Sequence, residues 1–198
     1  MTRYMIFKLH RMKIILVSFY GKGLMKLLNI EYGNKLTILF TPSIIMHKNA
    51  KIILGKNVTL NSDKKYYHLA MFSPVKLVAD KENSKIKIGD NTRINGTCVH
   101  AFSSIEIGSN CLIAANTQII DSNGHLLSFD NTSNRINTQD KGNPIIIGDN
   151  VWIGTGCLIL GGTVIEEGAV ISANSVVKGF VPKNSLFGGN PAKLIKQY

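Results

Sequence analysis

From Ile147 onward an aliphatic residue returns at every sixth position, at Ile147, Ile153, Ile159, Ile165, Ile171 and Val177, a period that fits neither a helix nor an ordinary strand. Each block runs through turn-forming residues to a small or β-branched residue at its fifth place: Val151, Cys157, Thr163, Ala169, Ser175 and Val181. In such a block the aliphatic and the small side chain point inward, and Gly, Asn or Asp pairs turn the corner between short strands. Three blocks close one triangular coil. A coil buries its apolar interior only when another stacks on it, so the pattern predicts an all-β solenoid, a parallel β-helix.

The same phase appears upstream, where Ile88 and Ile94 bracket Gly89-Asp90-Asn91, and Ile107, Ile113 and Ile119 follow with one residue of slip. Earlier, Ile38, Ile44 and Ala50 keep the step, Leu54 to Val58 resembles another corner, and Asn61 to Ser73 breaks the register. The chain therefore reads as one solenoid from Leu36 to Val181 with two interruptions. The second, Leu126 to Asn143, is polar and carries no sixfold pattern. It is expected to leave the coil as a loop and to be a place for chemistry. The division that follows is a basic, helical N-terminal cap over 1–36 and a repeat domain over 37–198, with the loop at 126–143 and a tail at 182–198.

Charge changes the picture at one end only. The chain of 198 residues has a formal net charge of +11. Residues 1–36 hold Arg3, Lys8, Arg11, Lys13, Lys22, Lys26 and Lys35 against Glu31 alone, which is more than half of it. Met5, Ile6, Phe7, Leu9, Ile14 to Val17 and Phe19 are interleaved with these cations. Two readings stand: a helix covering the open end of the solenoid, and peripheral contact with an anionic membrane surface or acidic partner. The run Ile14 to Tyr20 is too short to span a bilayer and lacks a small-residue cleavage site, so neither a transmembrane helix nor a signal peptide is expected. No nucleic-acid partner is expected.

Cys98, Cys111 and Cys157 are all assigned to the small inward place of their blocks, which makes them packing residues and points to a reduced, cytoplasmic protein. The residue before each inward aliphatic should point outward. Trp152, Leu158, Val164, Val170 and Val176 then form an exterior apolar column that calls for burial against another subunit in a closed oligomer.

The run Ile145 to Gly154, the repeats after it, and the tail Gly189-Asn190-Pro191-Ala192-Lys193 resemble the hexapeptide-repeat acyltransferases, in the branch of maltose, galactoside and capsular polysaccharide O-acetyltransferases. The resemblance covers roughly residues 85 to 198. It implies a left-handed parallel β-helix, a homotrimer with active sites between subunits, and acetyl-CoA as co-substrate. General connection rules would have given the opposite hand.

Acetyl transfer from a thioester to a hydroxyl needs a base for the alcohol proton and donors for the oxyanion, and histidine suits the first role near neutral pH. His125, at the end of a coil and the start of the loop, lies where similar enzymes place that base. His100 is the rival, counted into an inward slot; His10, His47 and His68 lie outside the matched region. Asn95 matches an asparagine that holds the acceptor in similar enzymes, and it also reads as a corner residue. Where some relatives carry an aspartate beside the histidine, this chain has Ser103. Asp121 is the nearest acid in sequence, yet four extended residues span ~13 Å, so it orients His125 only if the chain bends.

For coenzyme A, the resemblance matches Lys178, Lys193 and Lys196 to phosphate-binding cations and Thr155 and Ala173 to pantetheine contacts. Trp152 is placed in the donor tunnel or a subunit interface, and Arg135 in the loop is a candidate acceptor contact. The expected activity is O-acetyl transfer from acetyl-CoA to a sugar or glycan hydroxyl, in surface polysaccharide biosynthesis. The alternatives are an N-acetyltransferase of an amino-sugar nucleotide, an antibiotic acetyltransferase, and a non-catalytic scaffold. A serine acetyltransferase is disfavoured because the long helical domain such enzymes carry before the repeats is not expected here. A zinc hydratase of the same fold needs three converging histidines, and no paired spacing supplies them, so no metal is expected.

Overall fold

The computed structural model describes residues 3–198, with side chains at Met12 and from Ile14 onward. The expectations placed on the side chains of Arg3, Met5, Ile6, Phe7, Lys8, Leu9, His10, Arg11 and Lys13 lie outside the described residues.

The chain winds into a prism of three parallel sheets whose strands recur in strict rotation. The first sheet has seven strands and runs from Glu31–Tyr32 to Phe180–Val181. The second has eight, from Thr37–Leu39 to Ala192–Gln197, and the third has six, from Ser43–Met46 to Val176–Val177. Within the regular part a residue pairs with the one three blocks later, as Trp152 does with Val170 and Leu158 with Val176. All six inward aliphatics from Ile147 to Val177 are at most 2% exposed, and so are the small residues from Val151 to Val181. The sixfold pattern is therefore the core itself, a single column of stacked side chains.

The corners explain the Gly-Asp-Asn runs. Asn57, Asn91, Asn110 and Asn150 sit at positive φ between 55° and 59°, a region asparagine tolerates better than most residues. Their amides stack, Asn57 donating to Asn91 at 3.0 Å and Asn91 to Asn110 at 3.1 Å. Beside them Gly89 is required by close approach, since a Cβ there would lie 2.5 Å from the Gly108 carbonyl carbon of the next coil.

The expected slip of one residue is the sum of two irregularities, a shortened corner before Val99 and a lengthened one between Val99 and Ile107. The corner Gly96-Thr97 is one residue shorter than its neighbours, so Val99 takes the inward slot and pairs with Ile119. Thr97 becomes the small buried residue, and Cys98 and His100 turn outward and are only half-buried. This corrects the inward placement of both. Cys111 and Cys157 are in the core, their thiols donating to the Gly148 and Ser172 carbonyls at 3.1 Å, with burial raising both thiol pKa values.

The outward residues also need correction. Trp152 and Val170 lie on the second sheet, Leu158 and Val176 on the third, and Val164 on the first. Successive blocks occupy successive faces, so these five do not form one column. The ladder that does form runs Leu112, Trp152, Val170 and Leu186 up the second sheet.

At the N-terminal end a helix spans Arg3–Leu27 and packs on Thr37–Leu39. Met25 is fully buried in the core cluster, and a Cβ at Gly21 would sit 3.0 Å from Ile38 Cδ1. The helix thus covers apolar side chains that the first coil would leave open. At the other end Ser185–Gly189 continues the second sheet, and Ala192–Gln197 folds back on it antiparallel. Among the described residues no helix is long and apolar enough to cross a membrane.

Candidate active site

The second interruption leaves the coil after Gln118–Ile120 and returns at Ile145–Ile147, with one 3-10 turn at Thr132–Asn137. Its neck is closed by hydrogen bonds from both strands. Asn143 N–H donates to the Asp121 carbonyl at 2.6 Å and Asp140 N–H to the Gly124 carbonyl at 3.1 Å. The Asp140 carboxylate accepts from Asn123 N–H at 2.8 Å, from the Ser122 hydroxyl at 3.1 Å and from Gly142 N–H at 3.3 Å. These bonds, the Asn123 amide first, hold its pKa below the usual carboxylate range.

His125 stands exposed just beyond this neck, its Nδ1 2.8 Å from the Thr138 carbonyl oxygen. A carbonyl only accepts, so Nδ1 carries the proton and Nε2 is left with a lone pair. Among the described residues no carboxylate is hydrogen-bonded to this imidazole. Asp121, the nearest acid in sequence, is 1% exposed and accepts from Phe102 and Ser103 N–H at 2.7 and 2.8 Å. It therefore shapes the coil corner, and burial raises its pKa despite those bonds. Ser103 contributes its backbone to that corner. The rival His100 pairs through Nε2 with Asp80 Oδ1 at 3.2 Å and lies against the Phe102 ring.

On the second sheet a groove of about 790 Å³ opens over the apolar ladder. Asn95, Trp152, Thr155 and Ala173 all line it. Asn95 is braced between coils, accepting from the Asn61 amide at 3.0 Å and donating to the Ile113 carbonyl at 2.9 Å. Trp152 is 54% exposed above the ladder. The Thr155 hydroxyl donates to the Ala115 carbonyl at 2.6 Å, so its proton is engaged within the coil. Among the described residues the amide N–H groups of Thr155 and Ala173 make no hydrogen bond, whereas Gly154 and Asn174 on either side do. They leave two unpaired donors one coil apart on the same corner.

The groove has a wall that the sequence pattern did not reveal. Tyr67, His68 and Leu69, from the first interruption, stand over it, and Arg93 lies in its floor. Their segment is pinned by Asn116, which accepts from Phe72 N–H at 2.9 Å and donates to the Ala70 carbonyl at 2.7 Å. The broken register between Asn61 and Ser73 was the available signal. A long insertion beside a solenoid face has to fold somewhere, and here it covers the second sheet.

Other candidates fall elsewhere in the chain. Arg135 donates from Nε to the Leu127 carbonyl and lies 5.4 Å from the Phe129 ring centroid, which binds it into its own loop. Lys178 follows the third sheet at the corner from which the loop also leaves. Lys193 and Lys196 are exposed on the last strand, with Lys196 Nζ 4.4 Å from the Tyr198 ring centroid. Neither His125 nor any of these three lysines lines the groove that holds Thr155 and Ala173. Among the described residues no three His, Cys, Asp or Glu side chains gather in a way that could hold a metal ion.

Two stretches of the chain match known repeat families: residues 85–120 match the hexapeptide repeat of succinyl-transferase, and residues 144–179 the bacterial transferase hexapeptide of six repeats. The chain is 36% identical over 119 residues to WbbJ of Escherichia coli strain K12, assigned to lipopolysaccharide biosynthesis O-acetyl transfer. That match covers 57% of this chain and 61% of the relative. A hexapeptide-repeat acetyltransferase of Vibrio cholerae, solved with acetyl coenzyme A, is 34% identical over 57% of this chain and 60% of its own, with a TM-score of 0.52. The chain thus spans about three fifths of the length of both relatives. An N-acyltransferase of Bacillus cereus, solved with dTDP-4-amino-4,6-dideoxyglucose and coenzyme A, shares the coil over 90% of this chain and 89% of its own, with a TM-score of 0.66 at 21% identity. The common fold is the left-handed parallel β-helix that the resemblance implied. In its two stretches of hexapeptide repeat and in its coil, the chain is similar to hexapeptide-repeat acyltransferases.

Proposed function

We propose that the protein transfers an acetyl group from acetyl-CoA to a sugar or glycan hydroxyl, in a homotrimer whose sites each combine His125 of one subunit with the groove of the next. One observation carries this reading. The imidazole with a free Nε2 leaves the prism at the corner between the third and first sheets, while the groove with Asn95 and the two unpaired amides lies at the corner between the second and third. In a closed trimer unlike corners of neighbouring prisms meet, and the apolar ladder through Trp152 becomes buried.

In the composite site the Thr155 and Ala173 amides bind the pantetheine arm, and Lys178, Lys193 and Lys196 face the phosphates. Asn95 holds the acceptor, with Tyr67, His68 and Arg93 shaping its side of the groove. Trp152 packs where subunits meet, and Arg135 keeps the loop in shape beside the acceptor. His125 Nε2 takes the acceptor proton as the hydroxyl oxygen attacks the thioester carbonyl, and the proton then goes to the leaving thiolate. No acyl-enzyme is required. A coenzyme A co-substrate and reduced core thiols favour the cytoplasm, and the likeness to a lipopolysaccharide O-acetyltransferase favours a surface-glycan acceptor.

The shared coil of the Bacillus cereus N-acyltransferase supplies the second reading, transfer to an amino sugar. An acceptor panel separates the two. Acetylation of plain sugars or capsule oligosaccharides at oxygen is expected; acetylation only of amino-sugar nucleotides at nitrogen would replace the first reading with the second.

A further inference from the structure

The N-terminal helix is apolar on two opposite sides, and only one of them is used by the fold. Gly21 and Met25 are buried against the first coil. On the far side Met12, Ile15, Leu16 and Phe19 follow the i, i+3, i+4, i+7 spacing of a single helix face, and exposed Gly23 and Leu27 continue it. Phe19 is 82% exposed, Leu16 69% and Ile15 67%. Lys22 lies on one flank of this stripe and Lys26 falls within its C-terminal part, a turn beyond Phe19.

We propose that this face docks on an anionic lipid surface, with the helix lying in the membrane plane. Charge decides between occupants. The helix Arg3–Leu27 contains six cationic residues and no acid, so a second copy of the same helix would bring like charges together without a counter-charge. A phosphate-bearing bilayer surface supplies counter-charges along the whole length, about 37 Å at the helical rise, while the stripe enters the acyl boundary. The helix is not apolar enough to cross. Its inner side keeps the solenoid attached, so the coil is carried at the bilayer surface. This surface is separate from the transfer site, and glycan acceptors built on a lipid carrier would be met there.

The test is co-flotation of the full-length protein with vesicles of phosphatidylcholine alone or with one third phosphatidylglycerol, at low and high salt. Binding is expected only to the anionic vesicles and should fade with salt. Leu16→Glu with Phe19→Glu should abolish it, and Lys22→Glu with Lys26→Glu should weaken it by roughly tenfold or more. Circular dichroism and transfer to a soluble acceptor verify that each variant is folded. Absence of flotation, binding equal on neutral vesicles, or binding untouched by both variants would overturn the proposal. A Leu16/Phe19 variant that changes the oligomeric state instead would assign the face to another copy of the chain.

Discussion

His125 and Thr138 face each other across the neck of the extruded loop, the imidazole Nδ1–H donating to the carbonyl oxygen at 2.8 Å. That bond fixes the tautomer, so Nε2 is the nitrogen left with a lone pair. His125→Ala should lower kcat by roughly two to four orders of magnitude while coenzyme A binding, followed by calorimetry, persists. His100→Ala, which removes one of the partners of Asp80, serves as the comparison. Near-normal turnover in the first variant with loss in the second would exchange their roles.

Asp121 tests whether a carboxylate assists the base. Its oxygens hold the Phe102 and Ser103 amides in a buried corner. Asp121→Ala should therefore cost about 2–3 kcal/mol of stability, the penalty of orphaned buried donors, and leave kcat of the folded enzyme within a few fold. Thermal melts and initial rates measure the two separately. A stable variant with a collapsed kcat would show that Asp121 acts on His125.

How much of this was legible beforehand differs between core and surface. Ile147 to Val177 announced the coil because every sixth side chain is buried, and burial leaves a periodic trace in sequence. The slip at Gly96-Thr97 left only an ambiguous trace, since Thr97 and Cys98 are both small enough for the inner slot, and the choice moved His100 to the wrong side. The exterior column around Trp152 failed for a geometric reason: residues six apart share a role but not a face. Asn95, Thr155 and Ala173 were found through family resemblance. The wall at Tyr67 to Leu69 was missed, because an insertion's docking place is set by contacts such as Asn116 with Phe72 that no periodicity encodes.

Asp140 gives the loop a distinctive response to acid. Its folded pKa lies below the ordinary carboxylate value, so its contribution to closing the neck is complete above that ordinary value and is lost only as pH falls through the lower, folded one. The Asn123 and Gly142 amides should therefore remain protected from hydrogen exchange in mildly acidic buffer, and the neck should open only in strong acid. Loss of that protection already in mild acid would show that the Asp140 carboxylate does not hold the neck closed.

Subunit complementation addresses the composite site directly. His125→Ala removes the base, and Ala173→Trp fills the groove that Ala173 lines; each variant alone should be close to inactive. Co-expressed with different tags and purified through both, they form mixed trimers in which some sites pair an intact His125 from one subunit with an open groove from another. Acetyl transfer to a sugar hydroxyl should reappear in those mixed trimers. If sedimentation confirms mixed trimers and transfer stays at the level of the single variants, base and groove belong to the same chain and the composite site is wrong.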